Sequence, residues 1–145
     1  MRWNMATSFR SQRPRAGRGL VLRPRLLERL NAAHGLTLVL ASAGYGKTTL
    51  LSTWLETCNL PSAWLSLDEH DDDLAVFVTG LVSAVHTIFP AVADATLAAV
   101  NGAALPPPAA IARSLLNDLV SLEQDFILVL DDYHVLTLEV IQDFV

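Results

Sequence analysis

Residues 36–49 read LTLVLASAGYGKTT. Leu36 to Ala41 is a continuous apolar run of strand length. Ser42, Ala43, Gly44, Tyr45 and Gly46 follow as a loop of small residues, and Lys47 opens the next segment. From there to Cys58, the residues Leu50, Leu51, Trp54, Leu55 and Cys58 recur at helical spacing and form one apolar face. The order is strand, glycine loop, helix. Its end fits the pattern G-x-x-x-x-G-K-[ST], with Ala41 in place of the first glycine. Gly44 and Gly46 let the backbone turn its N–H groups inward around an anion. The helix beginning near Lys47 points its positive end at the same place. Lys47 can reach outer phosphates as a point charge, and Thr48 can offer a hydroxyl to Mg²⁺. The plain alternative is a glycine turn whose Gly-Lys-Thr arose by chance. The strand before it and the amphipathic helix after it weigh against that.

Two further apolar runs extend the pattern. Ala63–Leu67 (AWLSL) and Phe126–Leu130 (FILVL) are strand candidates. Helical patterns lie between them: Leu74–Phe89, a short Ala-rich helix within 91–105, and Ala109–Leu122 with Ile111, Leu115, Leu116, Leu119 and Leu122 on one side. Leu136–Val145 reads as the start of another helix. Apolar strands separated by helices indicate an α/β fold with a parallel sheet covered on both faces. Ligands of such sheets bind beyond the carboxyl ends of the strands. Two loops there carry unusual chemistry, Ser42–Thr49 and Asp131–His134. Asp131 and Asp132 end a buried strand and read as a Walker B element. Asp131 would hold Mg²⁺ through water, and Asp132 would orient or deprotonate an attacking water.

The composition bounds the rest. The chain has 145 residues, 52% apolar and 17% charged, which suits one domain and excludes general disorder. A single cysteine, Cys58, excludes a disulfide scaffold and a cysteine-rich metal site. The net charge of −5 hides a split: residues 1–29 hold eight Arg and one Glu, and the remainder is strongly acidic. Residues 1–19 read as a basic, solvated leader. A transit peptide and a nucleic-acid-binding tail are the sharper alternatives, and Pro14, Gly17 and Gly19 oppose an amphipathic helix there. No stretch has signal-peptide character, so a cytoplasmic protein is expected. Leu74–Phe89 falls short of the ~20 apolar residues of a membrane span, so no membrane partner is expected.

Other polar residues carry less. The acidic stretch Asp68–Asp73 lacks the spacing of a calcium loop and reads as a solvated cap on the following helix. His134 favours a structural role over a phosphate contact. Cys58 reads as a small apolar filler and Trp64 as core.

Taken together, AGYGKTT, WLSLD and LVLDDYH, with the lead-in VLRPRLLERL, resemble the nucleotide-binding domain of MalT-like regulators. These are large ATP-binding LuxR-type transcription activators of bacteria, within the STAND class of P-loop ATPases. The resemblance covers about residues 20–145. It implies a three-layer α/β/α domain of the P-loop NTPase type. It implies that Ala43, Gly44, Tyr45, Gly46, Lys47, Thr48 and Thr49 wrap the phosphates of ATP or ADP. Thr48 and Asp131 would serve Mg²⁺, with Lys47 and Asp132 taking part in hydrolysis. Arg23 or Arg25 would lie near the base or sugar. It also implies that about three strands are present here, that the sheet is cut after the Walker B strand, and that the strand between Leu36–Ala41 and Phe126–Leu130 comes after residue 145. DNA binding and self-association would reside in domains absent here.

The leading expectation is therefore an ATP-binding switch domain, with slow Mg-dependent hydrolysis in the intact protein. A non-enzymatic truncated remnant and a small P-loop kinase are the alternatives. The single Arg113 after the phosphate loop argues against the Arg-rich lid a kinase needs.

Overall fold

The computed structural model describes residues 10–15, 23–90, 92–137 and 139. Nearly all of the expected helix over Leu136–Val145 lies outside the described residues. The chain divides into two compact units, Arg13–Leu60 on one hand and Met1–Gln12 with Pro61–Val145 on the other.

The larger unit is built on two parallel strands, β1 (Ser62–Ser66) and β2 (Ile127–Asp131). Ser62 pairs with Ile127 and Ser66 with Asp131. Parallel neighbours need a crossover, which helices provide. α3 (Leu74–His86), α4 (Asp94–Val100) and α5 (Pro108–Val120) fill it. The two strands lie within one residue of their sequence expectation, and their adjacency gives a small parallel sheet in a mixed α/β chain.

α3 carries most of the core. Asp73 starts it, its carboxylate accepting from the N–H groups of Ala75 (2.9 Å) and Val76 (3.0 Å), a side-chain cap on otherwise orphaned donors. Phe77, Val78, Val82, Ala84 and Val85 are buried along one broad side of the helix, while Val76 on another side is exposed. Phe77 is fully buried, and each such apolar side chain contributes roughly 1.5–3 kcal/mol. Trp64 is core, as expected, and its indole N–H donates to Ser66 Oγ at 3.0 Å. A polar knot joins α4 to α5: Thr96 Oγ1 lies 2.7 Å from Ser114 Oγ and donates to Asp118 Oδ2 at 3.0 Å. On α5 the buried stripe is Ile111 and Leu115, while Leu116 faces solvent, so the apolar side drawn from sequence was too wide.

The smaller unit holds α1 (Pro24–Asn31) and α2 (Lys47–Thr57). Pro24 at the first turn suits α1, since its fixed φ is already helical, and Arg29 in the last turn faces the negative end of the dipole. Asn31 at its end accepts from the Trp54 indole N–H at 2.7 Å, which ties α1 to α2. Ser52 on α2 is buried, and its hydroxyl donates to the Pro14 carbonyl.

One expectation is corrected here. Leu36–Ala41 has no regular secondary structure and joins no ladder among the described residues, and Leu36, Leu38 and Leu40 are exposed. Apolar composition favours a strand, yet a strand exists only when a neighbour takes its N–H and C=O groups. Among the described residues the sheet has two strands rather than three.

Candidate functional site

The glycine loop has the backbone its sequence demands. Gly44 and Gly46 both have φ of +79°, in the left-handed region that side chains other than glycine's rarely adopt. A Cβ at either position would meet nothing within 4 Å, so conformation rather than crowding requires glycine. The Tyr45 N–H donates to the Ser42 carbonyl at 3.3 Å and closes the turn. Gly46 is the N-cap of α2, with no side-chain cap and no acid in the first turn. The positive end of α2 is therefore not neutralised by a carboxylate of its own first turn, the arrangement that favours an anion.

Lys47 lies at this loop. Its ammonium donates to the Ala41 carbonyl at 2.7 Å and the Ser42 carbonyl at 3.2 Å. Both partners are neutral, so they take up two of its three hydrogens without cancelling its charge. Thr48 and Thr49 occupy the first turn of α2, and the Thr49 carbonyl accepts from Thr53 Oγ1 at 2.8 Å. Ala43 sits in the exposed turn.

A cavity of about 440 Å³ opens beside the loop. Tyr45, Gly46 and Lys47 form one part of its lining, and Arg23 and Arg29 of the α1 region another. Arg25 does not line it and is exposed. Of the two arginines the sequence left open, the structure brings Arg23 to the cavity. It adds Arg29, which sequence reading missed. The spacing of Arg23, Leu26, Leu30 and Ala33 along one helical stripe was the signal that could have found it.

Asp131 and Asp132 belong to the larger unit. Asp131 ends β2 nearly buried, and its Oδ1 accepts from the Asp132 N–H at 3.1 Å. Asp132 has φ of +59°, which aspartate tolerates better than most residues, and its carboxylate lies 3.9 Å from His134 Nδ1. Among the described residues, no three His, Cys, Asp or Glu side chains converge as a metal cluster. Thr48 in the smaller unit offers a hydroxyl and Asp131 in the larger unit a carboxylate, oxygen donors of the kind Mg²⁺ takes.

The acidic stretch after β1 does more than cap. Asp68 and Asp71 form a reciprocal capping box on a short 3₁₀ turn, Glu69–Asp72. Asp71 is fully buried and pairs with Arg10, whose Nε also donates to the Ser66 carbonyl at 3.2 Å. Arg10, read from sequence as part of the solvated leader, is thus tied to the end of β1. Asp72 accepts from the Thr137 N–H at 2.8 Å, joining the loops that follow the two strands. No helix among the described residues is long and apolar enough to cross a membrane.

The fold and site define an α/β protein whose glycine loop and uncapped helix N-terminus suit an anion. In sequence the chain is similar to the HTH-type transcriptional regulator MalT of Klebsiella pneumoniae subsp. pneumoniae and of a second Klebsiella pneumoniae strain. Each is 35% identical over 125 residues, which is 85% of this chain and 14% of the relative. The chain is MalT-like over most of its own length, and it spans about 14% of the length of those regulators. No family model matches it.

Proposed function

We propose that this chain is the ATP-binding switch region of a MalT-like transcriptional regulator. The observation that carries the reading is the glycine loop: two positive-φ glycines and an unneutralised helix N-terminus, opening on a cavity lined by Lys47 and Arg23. The N–H groups of Ala43, Gly44, Tyr45, Gly46 and the first turn of α2, through Thr49, cradle the phosphates. Lys47 exchanges its two carbonyl partners for phosphate oxygens, a charge-assisted bond in place of neutral ones. Arg23 holds the base or sugar. Thr48 would offer its hydroxyl and Asp131 its carboxylate to Mg²⁺, which when bound would neutralise charge on the transferring phosphoryl group. Asp132 orients the attacking water, and hydrolysis in the intact protein is slow. The fold that completes this reading is a three-layer α/β/α domain of the P-loop NTPase type. DNA binding and self-association belong to parts of the regulator outside this chain.

Calorimetry with Mg-ATP on the 145-residue chain and on Lys47→Ala tests this. Binding that weakens at least about tenfold in the variant is expected, since a hydrogen bond to a charged group contributes roughly 1.5–3 kcal/mol. Absence of binding would support the remnant reading. Rapid phosphoryl transfer to a small metabolite would favour a kinase.

A further inference from the structure

The geometry points to Arg29 as a second phosphate-binding cation that lets the pocket distinguish nucleotides by phosphate number. The inference rests on the nucleotide reading above. Among the described residues, three cations, Arg23, Arg29 and Lys47, line the 440 Å³ cavity, and no aspartate or glutamate does. The rest of the lining is largely apolar, including Leu26, Leu30 and Leu50. An apolar pocket with three cations and no acid matches a ligand with an apolar, stackable body and several negative charges. One phosphate needs one such cation; a polyphosphate can engage more.

Arg29 qualifies where its neighbours do not. It shares the cavity-facing stripe of α1 with Leu26 and Leu30, whereas Arg25 and Glu28 lie off that stripe. Among the described residues no carboxylate pairs with Arg29, so its guanidinium does not have to leave a partner to meet a ligand. It is also exposed, so replacing it leaves the fold intact. A guanidinium can bind phosphate oxygens with two parallel N–H bonds, and the gain grows with the charge it faces.

The test is calorimetric binding of Mg-ATP, Mg-ADP and AMP to the whole chain, to Arg29→Gln, Arg29→Lys and Arg25→Gln, and to Lys47→Ala. Arg29→Gln is expected to weaken ATP about tenfold and ADP about threefold, and to leave AMP within twofold. Arg29→Lys should recover part of the loss, and Arg25→Gln should stay within twofold for all three. If Lys47→Ala weakens ATP while Arg29→Gln does not, the inference on Arg29 falls and the nucleotide reading stands. Equal losses for ATP and AMP in Arg29→Gln would likewise overturn it, as a general electrostatic effect. If Lys47→Ala leaves ATP binding unchanged, the nucleotide reading falls first and Arg29 with it.

Discussion

The two units spend their residues differently. In the larger one, β1, β2 and α3 bury Trp64, Leu65, Phe77, Val78, Val82 and Val85, and even a charge, Asp71, is buried with a partner. In the smaller one, Leu30, Ser52 and Leu55 are the buried side chains among the described residues, while Leu36, Leu38 and Leu40 stand in solvent. Yet the smaller unit carries the glycine loop, Lys47 and the cationic cavity. The anion-binding chemistry here is mostly backbone: positive-φ turns and a helix N-terminus, which need local conformation more than a deep core. The cooperative stability needs the core, and the larger unit holds it.

The sharpest way to break this contrast is to damage the core. Phe77→Ala removes a fully buried ring from the middle of α3 and is expected to cost about 3–5 kcal/mol. Urea unfolding followed by circular dichroism reads the loss. A cost under about 1 kcal/mol would show that α3 is not the centre of stability.

Arg10→Ala should come next. It strands the buried Asp71 carboxylate, whose Oδ1 already has no hydrogen-bond partner, leaving Oδ2 with the Asp68 N–H alone. Removing one member of a buried ion pair costs about 3 kcal/mol or more. The double variant Arg10→Ala/Asp71→Asn should regain much of that, because the stranded charge is gone. If the single and double variants are equally unstable, packing rather than charge explains Arg10.

Much of the larger unit was legible in the sequence. β1 and β2 fall within one residue of the runs AWLSL and FILVL, because each is a short, nearly continuous apolar run, buried at Ala63, Trp64 and Leu65 in β1 and at Val129 in β2. The glycine turns were legible for a different reason: Gly44 and Gly46 mark backbone that few other residues can adopt. Leu36–Ala41 was misjudged because its run is as apolar as the others, and composition does not tell whether a neighbour will pair with it. The Arg10–Asp71 pair was not legible at all. It spans 61 residues, and no periodicity links a cation in an arm to one acid among six residues of a loop. Arg29 was hidden by helix phase, which a motif comparison ignores and a three-dimensional stripe reveals.

A gentler probe is pH. Asp68 is partly buried, which alone would raise its carboxyl. The hydrogen bond from the His70 N–H and the nearby Arg10 charge outweigh that and hold it below the ordinary carboxylate range. The hydrogen bond with Asp71, ahead of a desolvation that opposes it, holds the Arg10 guanidinium above its usual range, so it stays charged throughout. A carboxyl depressed on folding stabilises the protein above its unfolded value, and that contribution is lost as pH falls through the folded value. Stability should therefore decline below about pH 4, and Asp68→Asn should shallow that decline. Because the Asp68 side chain is nearly half exposed, solvent screening keeps the effect below about 0.5 kcal/mol. An acid limb unchanged in Asp68→Asn would assign the decline to other carboxylates.

The smallest effect is the most informative about the smaller unit. Leu36 is 85% exposed and does not line the cavity, so it contributes neither to the core nor to ligand contact. Leu36→Ser should therefore change stability by no more than about 0.5 kcal/mol, the range of surface substitutions away from special features. It should also lower binding of a hydrophobic dye, because Leu36, Leu38 and Leu40 place apolar surface in water along one short segment. A stability loss approaching that of Phe77→Ala would mean that the segment is packed in solution. The division between a core-bearing and a ligand-bearing unit would then have to be redrawn around Leu36–Ala41.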